Sequence, residues 1–321
     1  MSRTSFYAVL FLILGFSTYL SSQNNNFYKS LKNAKDIELS HAPGIYGQSK
    51  SIDFKIKNTS GQELTYHTID ASGTKIQESA FTISQPTIVK VGYKDSLGNK
   101  KCYVGSYIVN VKHHLPIVSL CVDHDNFFPP NGVYYGYHTT DSIPGKLATV
   151  GRAWQKEPIR AFAQFFIGNK MRDELALDVK TYGGMTLGWK EKSLQLSARK
   201  EKYGRSKIKV KLFENLPMDA FQHVVLRTSG NDQNKSRLQD RSISHVADDL
   251  GINTKASRAV VLYINGQYWG IHNLREKVNG DYFKYRYNWK KENFTELQGS
   301  GFRNASFKSM IDYAKAHFND S

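Results

Sequence analysis

One lysine of this sequence lies on a predicted apolar face of a strand, where burying its charge would be costly without a partner of opposite charge. In the segment KSLQLSAR, alternation along a predicted strand places Lys192 on the same side as Leu194, Leu196 and Ala198. Burying an unpaired ammonium costs several kcal/mol, so Lys192 needs an acidic partner or a bound phosphate. The alternative is that Lys192 lies at a strand end and its amine reaches solvent.

The lysines of a nearby segment carry no such requirement. In KIKVKLF, apolar residues at 208, 210 and 212 alternate with lysines, namely Lys207, Lys209 and Lys211. This alternation is typical of a half-exposed strand, so these three amines are predicted to face water.

A hairpin is predicted at residues 259–278, AVVLYINGQYWGIHNLREKV. Asn265-Gly266 fits a type I′ turn, which requires positive φ at both central residues. The turn predicts three cross-strand pairs: Ile264 with Gln267, Leu262 with Trp269 and Val260 with Ile271. The opposite face is then shared by Tyr263, Val261 and Ala259 with Tyr268, Gly270 and His272. Because both faces are largely apolar, the hairpin is predicted to be central.

The hairpin ends in three charged residues, Arg275, Glu276 and Lys277. A buried element that delivers charges to its end is a common way to present functional groups. An ordinary solvated strand end explains these charges equally well.

Two further segments place charged side chains beside predicted elements. An apolar strand at 224–226 ends in Arg227 and a Ser-Gly-Asn-Asp loop. Apolar residues with helical spacing follow, at Leu238, Ile243, Val246 and Leu250. Gly251 caps that helix, and an intrahelical or surface ion pair accounts for Asp240 and Arg241 in its first turns.

The region before residue 112 has a different pattern. Short alternating strands separated by turn residues run from Ile37 to Val111, which predicts an all-β sandwich at 37–112. The segments PGIYGQSKSIDFKIKN and TYHTIDASGTK resemble the small sandwich modules related to the chitobiase carboxy-terminal domain. That resemblance implies a spacer or docking module rather than an enzyme.

Composition and the amino terminus limit where the protein acts. An apolar core at Phe6 to Leu20, followed by small and polar residues, predicts a signal peptide at 1–22, and hence a secreted or cell-envelope protein with no membrane span in the mature chain. The alternative is an uncleaved membrane anchor. Lysine and arginine total 44 against 28 acidic residues, a net charge of +16 that favours an anionic surface or polymer as partner. Nucleic acid is not expected, because no binding motif is present and an exported protein seldom meets it.

The sequence contains no metal-ligand spacing of cysteine and histidine, and no metal site is predicted. Asp123, Asp125 and Asn126 superficially suggest a calcium loop but lack its glycine and terminal glutamate. Cys102 and Cys121 form either a disulfide, which an exported protein would retain, or two free buried thiols.

Five segments in order, KSLQLSARKEKYG, KLF, VVLRTSGND, LQDR and VVLYINGQYWGIHNLREKV followed by GDYF, resemble the family of the spore coat protein H (CotH) kinases. The resemblance runs from about Pro116 to the end, and NGQYWGIHNLREK is its most specific part. The expected fold class is therefore α+β, with a small all-β sandwich followed by an incomplete atypical protein-kinase-like domain at 116–321.

The resemblance implies an exported phosphotransferase that uses ATP and magnesium on serine-rich extracellular proteins. It places Lys192, Arg227 and Glu276 in the nucleotide-binding cleft, where two cations can neutralise triphosphate oxygens and a glutamate can hold the lysine or contact nucleotide or metal. It further implies that Lys192 and Glu276 converge.

The chain departs from the family in one respect. Family members continue past the hairpin into a segment whose Asn and Asp residues bind metal and serve catalysis, and no such segment is found before Ser321. A truncated kinase-like domain is therefore expected, its catalytic residues remain unassigned, and a helix with an apolar stripe (Phe307, Met310, Ile311, Ala314 and Phe318) closes the sequence. The alternatives are a non-catalytic envelope binding or structural protein with a degenerate kinase-like fold, and a carbohydrate-active enzyme, for which no carboxylate pair stands out.

Overall fold

The chain divides into two compact units, Met1–Glu276 and Lys277–Ser321. The computed structural model describes residues 28–290 apart from 36, 49, 60–63, 71–74, 77, 95–99 and 144–145, together with residues 292 and 305–318. The predicted signal peptide at 1–22 lies outside the described residues. None of the described helices has the length and apolar character that crossing a membrane requires.

Among the described residues, nine strands precede residue 110. They are β1 (Tyr28–Ser30), β2 (Ile37–Leu39), β3 (Gly44–Gly47), β4 (Ile52–Asn58), β5 (Leu64–Asp70), β6 (Lys75–Ile76), β7 (Ala80–Ile83), β8 (Thr87–Lys94) and β9 (Lys100–Val109). One sheet has the order β1-β9-β8-β5-β6 with β3 also on β9, and a three-stranded sheet has the order β2-β4-β7. Phe54 from the smaller sheet and Tyr107 from the larger one share a buried core. We call this part of the chain the amino-terminal module.

Seven later strands close into a barrel. They are β10 (Ile117–Val122), β13 (Ile159–Ile167), β14 (Lys170–Tyr182), β15 (Ser193–Ser197), β18 (His223–Arg227), β19 (Ser257–Ile264) and β20 (Gln267–Glu276). Their order is β10-β13-β14-β15-β18-β20-β19, and β10 closes the ring by pairing parallel with β19. Two short ribbons lie outside it, β11 (Tyr137–Ile143) with β12 (Lys146–Val150), and β16 (Ile208–Lys209) with β17 (Ala220–Phe221).

Helices are few and short among the described residues. The first unit has α1 (His124–Phe127), α2 (Lys200–Tyr203) and α3 (Gln239–Asp249), and the second has α4 (Gly280–Tyr287) and α5 (Ala305–Ala316). The fold class is thus mixed α+β and mostly sheet, with a barrel sheet. The predicted boundary between 37–112 and 116–321 falls inside the first unit.

The predicted hairpin is β19 and β20, and Asn265 and Gly266 have the positive φ values, 50° and 82°, of the expected turn. The strand register predicted from the sequence matches the structure only near the turn. A bulge, with Gly270 at φ 90°, pairs Val260 with His272 where Ile271 was predicted. The bulge therefore moves His272 to the apolar face of Val260 and leaves Ile271 exposed.

The helix predicted after residue 238 is α3, but its apolar residues are exposed, whereas such spacing normally marks a buried face. Those exposed are Leu238, Ile243, Val246 and Leu250. The predicted helix near the end of the sequence is α5, on which Met310 is likewise exposed.

A buried polar network joins the amino-terminal module to the barrel. The Gln164 side chain accepts a hydrogen bond from the Ser106 backbone N–H (2.7 Å) and donates to Glu174 (2.8 Å). The hydroxyls of Ser106 and Ser119 are 2.8 Å apart, and Ser30 donates to the same Glu174 carboxylate. Because buried polar groups without partners are costly, this network holds the module firmly to the barrel wall.

Both cysteines lie beside that network. Cys121 is buried, Cys102 packs against the same apolar cluster, and both thiols are free. Burial raises the pKa of Cys102 to about 12. Of the two predicted alternatives, the structure has the free thiols.

Candidate functional site

Lys192 immediately precedes β15 and is 4 % exposed, as its position among leucines predicted. Its amine donates a hydrogen bond to the Trp189 carbonyl oxygen at 2.6 Å. No described carboxylate forms an ion pair with it, and burial lowers its pKa to about 8. Lys192 does lie at a strand end, as the alternative states, but its side chain is buried rather than solvated.

Tyr134 contacts Lys192 through both its hydroxyl and its ring. Its hydroxyl accepts hydrogen bonds from the backbone N–H of Lys192 (2.8 Å) and from the indole N–H of Trp269 (3.1 Å). The Lys192 amine lies 5.1 Å from the centroid of the tyrosine ring, within the range of a cation–π contact. Burial raises the pKa of Tyr134 to about 12, so its hydroxyl remains protonated at neutral pH.

A loop containing two consecutive glycines connects β14 to this lysine. Gly183 has φ 129°, and Gly184 combines φ −128° with ψ −112°. A side chain at Gly183 would meet the Thr186 hydroxyl at 2.9 Å, whereas nothing lies within 4 Å of a side chain placed at Gly184. The loop backbone at Gly184 is thus open to a ligand, and the same loop supplies the carbonyl that binds the Lys192 amine.

The end of this loop is tied to the segment before α3. Arg237 makes a bidentate ion pair with Glu191, at 2.8 and 2.7 Å. Close to this pair His272 is completely buried, and neither ring nitrogen makes a well-aligned hydrogen bond, although the Gly270 backbone is near. Burial lowers the pKa of His272 to about 4, so it is neutral at pH 7.

Arg227 and Arg275 share one carboxylate on α3. Asp240 lies 2.6 Å from Arg227 Nε and 2.9 Å from Arg275 Nη1. The Arg227 contact is short, but its N–H is not aligned for a hydrogen bond. Burial lowers the pKa of Arg275, and the charge of Asp240 opposes that shift. Asp240 is therefore a link between α3 and the barrel rather than half of the intrahelical or surface pair expected from the sequence.

The three predicted site residues do not come together. Leu194, Leu226 and Leu274 lie side by side on β15, β18 and β20, so Lys192 and Glu276 extend to opposite ends of the barrel interior. Four residues of strand separate their levels, about 13 Å at the usual rise. Arg227 alternates with the interior Leu226 and faces outward. Glu276 instead accepts a hydrogen bond from the Ala256 backbone N–H at 2.8 Å.

The Lys192 end of the barrel has the chemical groups that bind phosphate. Lys192 supplies a cation that no described carboxylate neutralises, and the open loop supplies peptide backbone. For a metal ion, the described residues contain no group of three or more His, Cys, Asp or Glu side chains that could hold one. We therefore assign no residue to magnesium.

A buried cation beside an open glycine loop is typical of proteins that bind phosphorylated ligands. Residues 179–320 match the family model described as CotH kinase protein, so the resemblance to that family is confirmed over this segment. The match indicates a kinase-like function, with the nucleotide and metal use general to that family. It begins within β14 and does not cover 116–178. No curated protein matches the chain.

Sequence reasoning missed three features of this site. The Gly183-Gly184 pair was visible as adjacent glycines just after a strand, a signal for a close approach of backbone to ligand. The sequence suggested an ion pair for Asp240 but gave no sign that its partners are arginines on two barrel strands. Tyr134 had no signal, because its position under Lys192 depends on a contact between segments 58 residues apart.

Proposed function

We propose that this chain belongs to an exported phosphotransferase of the CotH type. It would bind ATP with magnesium and transfer phosphate to serine-rich secreted or envelope proteins. The family match over 179–320 supports the reaction class. The basic net charge of +16 supports anionic partners at the envelope.

The observation that carries the proposal is the state of Lys192. Buried lysines in structural roles are paired with carboxylates, because an uncompensated charge in the interior is costly. Among the described residues, the Lys192 amine has only a backbone carbonyl and an aromatic ring as partners. A triphosphate group would provide the missing negative charge, and the Gly184 backbone is open to approach it.

Arg227 and Glu276 have secondary roles in this proposal. Arg227 contacts the Asp240 carboxylate on α3. A Cβ atom placed at Gly230 would lie 3.5 Å from Arg227 Nη2. Arg227 can reach a ligand only at the rim of the site. Glu276 binds backbone at the far end of the barrel and supports the fold there.

A second candidate is a non-catalytic envelope binding protein with a degenerate kinase-like fold. The exposed apolar residues of α3 favour it, because exposed apolar patches often mark interaction surfaces. Nucleotide binding distinguishes the two candidates.

The test is titration calorimetry of the chain with ATP and magnesium. Lys192→Met keeps the apolar stem and removes the charge, so it should abolish binding. Lys209→Met is the matched control, because Lys209 is exposed and should tolerate the same change without effect. Equal affinities in the two variants would remove Lys192 from the site, and no binding by the wild type would favour the binding protein.

A further inference from the structure

We propose that Tyr134, which lies outside the matched segment 179–320, is the positioning residue of Lys192 and is itself held by Trp269 of the β19–β20 hairpin. The proposal rests on the proposed function, in which Lys192 binds phosphate. It extends the site to a part of the chain that the family match does not include.

The first observation that supports this role is the hydrogen bonding of the Tyr134 hydroxyl. A phenolic oxygen has two acceptor positions, and here one takes the Lys192 backbone N–H and the other the Trp269 indole N–H. One donor immediately precedes β15 and the other lies on β20, and these two strands are not neighbours in the barrel. The hydroxyl thus fixes the start of β15, and with it the lysine, relative to the hairpin.

The second support is the orientation of the ring. Phe127 stacks on Tyr134 with centroids 5.1 Å apart, and Trp269 packs edge-on at 5.6 Å. Enclosed on two sides, the ring cannot turn away from the Lys192 amine 5.1 Å from its centroid. Its negative face favours the charged form of the amine at a place where burial favours the neutral form.

This arrangement also accounts for the tryptophan in NGQYWG. Trp269 is not part of the turn, which Asn265 and Gly266 form. Its indole N–H, however, is one of the two donors that orient Tyr134.

The experiment separates the hydroxyl from the ring. Tyr134→Phe removes only the hydroxyl, Tyr134→Leu removes the ring as well, and Trp269→Phe removes the indole donor. Tyr107→Phe and Tyr107→Leu are matched controls in the amino-terminal module, because Tyr107 is also buried and its hydroxyl donates to the His41 carbonyl at 3.0 Å. All are made in the full chain.

The first readout needs no nucleotide. Lysine amines labelled with ¹⁵N are titrated by NMR, and the Lys192 signal is assigned by its loss in Lys192→Met. Tyr134→Leu should lower the pKa of Lys192 by about half a unit relative to Tyr134→Phe, the effect expected from losing a cation–π contact. The Tyr107 controls should leave it unchanged.

The second readout is affinity for ATP with magnesium. Tyr134→Phe should weaken binding about tenfold and Trp269→Phe by a smaller factor, since each removes a hydrogen bond that positions the lysine. The Tyr107 controls should bind as the wild type does.

An unchanged pKa of Lys192 in Tyr134→Leu would overturn the proposal, and so would an equal shift in the Tyr107 controls. If Tyr134→Leu does not fold, wild-type affinity in both Tyr134→Phe and Trp269→Phe would overturn it. If the pKa shifts as expected while no form of the protein binds nucleotide, the positioning role stands and the proposed function fails.

Discussion

Two regions of the first unit bury polar groups in opposite ways. At the junction between the amino-terminal module and the barrel, Gln164 and Ser106 have matched partners at 2.7–2.8 Å. At the Lys192 end of the barrel, no described carboxylate pairs with the buried Lys192 amine, and neither ring nitrogen of His272 has an aligned hydrogen bond among the described residues. The first region is a closed network, whereas the second leaves the Lys192 charge without an ion-pair partner among the described residues.

The difference separates groups buried for stability from groups buried for binding. A closed network contributes to stability only when all its members are present, so each member should be costly to remove. A cation without a counter-charge opposes folding and is retained where a ligand uses it. Substitutions in the two regions should therefore change stability in opposite directions.

The largest effect is expected at the junction. Gln164→Ala leaves the Ser106 N–H and the Glu174 carboxylate without their partner, which should lower the free energy of unfolding by about 3–5 kcal/mol. Urea denaturation followed by circular dichroism measures it. Gln155→Ala, at an exposed site, is the control and should cost little. A loss below about 1 kcal/mol for Gln164→Ala would mean that the junction is not a closed network.

A pH-dependent effect should follow from His272. Its pKa falls from 6.5 to about 4 on folding, so between these values the unfolded chain binds a proton that the folded chain does not. The contribution of neutral His272 to the free energy of unfolding is therefore fully present above pH 6.5. The free energy of unfolding should fall by about 2–3 kcal/mol as the pH drops from 7 to 4.5.

His272→Leu should remove this part of the acid sensitivity, because an apolar side chain has no proton to bind. The measurement is the difference in urea midpoint between wild type and variant at pH 7 and at pH 4.5. His245→Leu, at an exposed site on α3, should leave the wild-type dependence intact. Parallel pH profiles for wild type and His272→Leu would contradict the prediction.

A smaller effect, of opposite sign, is expected for Lys192→Met. Removing a buried cation without a counter-charge should leave the free energy of unfolding unchanged or raise it by about 1 kcal/mol. Because the pKa of Lys192 falls from 10.5 to about 8 on folding, the wild type should gain stability as the pH rises from 8 to 10.5. The variant should lack that gain in parallel urea titrations, and a large loss of stability at pH 7 would show that Lys192 is structural.

The sequence predicted individual strands and turns better than the register and contacts between them. Alternation placed Lys192 on an apolar face, and Asn265-Gly266 located the hairpin, because both signals lie within a few residues. The Gly270 bulge was missed, and a shift of one residue then exchanged the environments of Ile271 and His272. Local pattern does not record where a strand gains an extra residue.

The site was predictable only in part for the same reason. Lys192 could be found from its own neighbours, but Glu276 was joined to it through a resemblance, and the register places the two at opposite ends of the barrel. Asp240 and Tyr134 act through contacts between distant segments. No periodicity in one segment encodes such contacts.

The smallest effect is expected on α3, whose apolar residues resemble neither the junction nor the Lys192 end, since they face solvent. Ile243 is 61 % exposed, so Ile243→Ser should change the free energy of unfolding of the chain by less than about 0.5 kcal/mol. Leu226→Ser, at a fully buried position on β18, is the contrasting variant and should cost several kcal/mol. Urea midpoints of the two, with sedimentation velocity to detect association, decide the case. Ile243→Ser could instead lower the free energy of unfolding by more than about 1 kcal/mol, or abolish an oligomer that the wild type forms. Either result would mean that the apolar face of α3 is buried in solution.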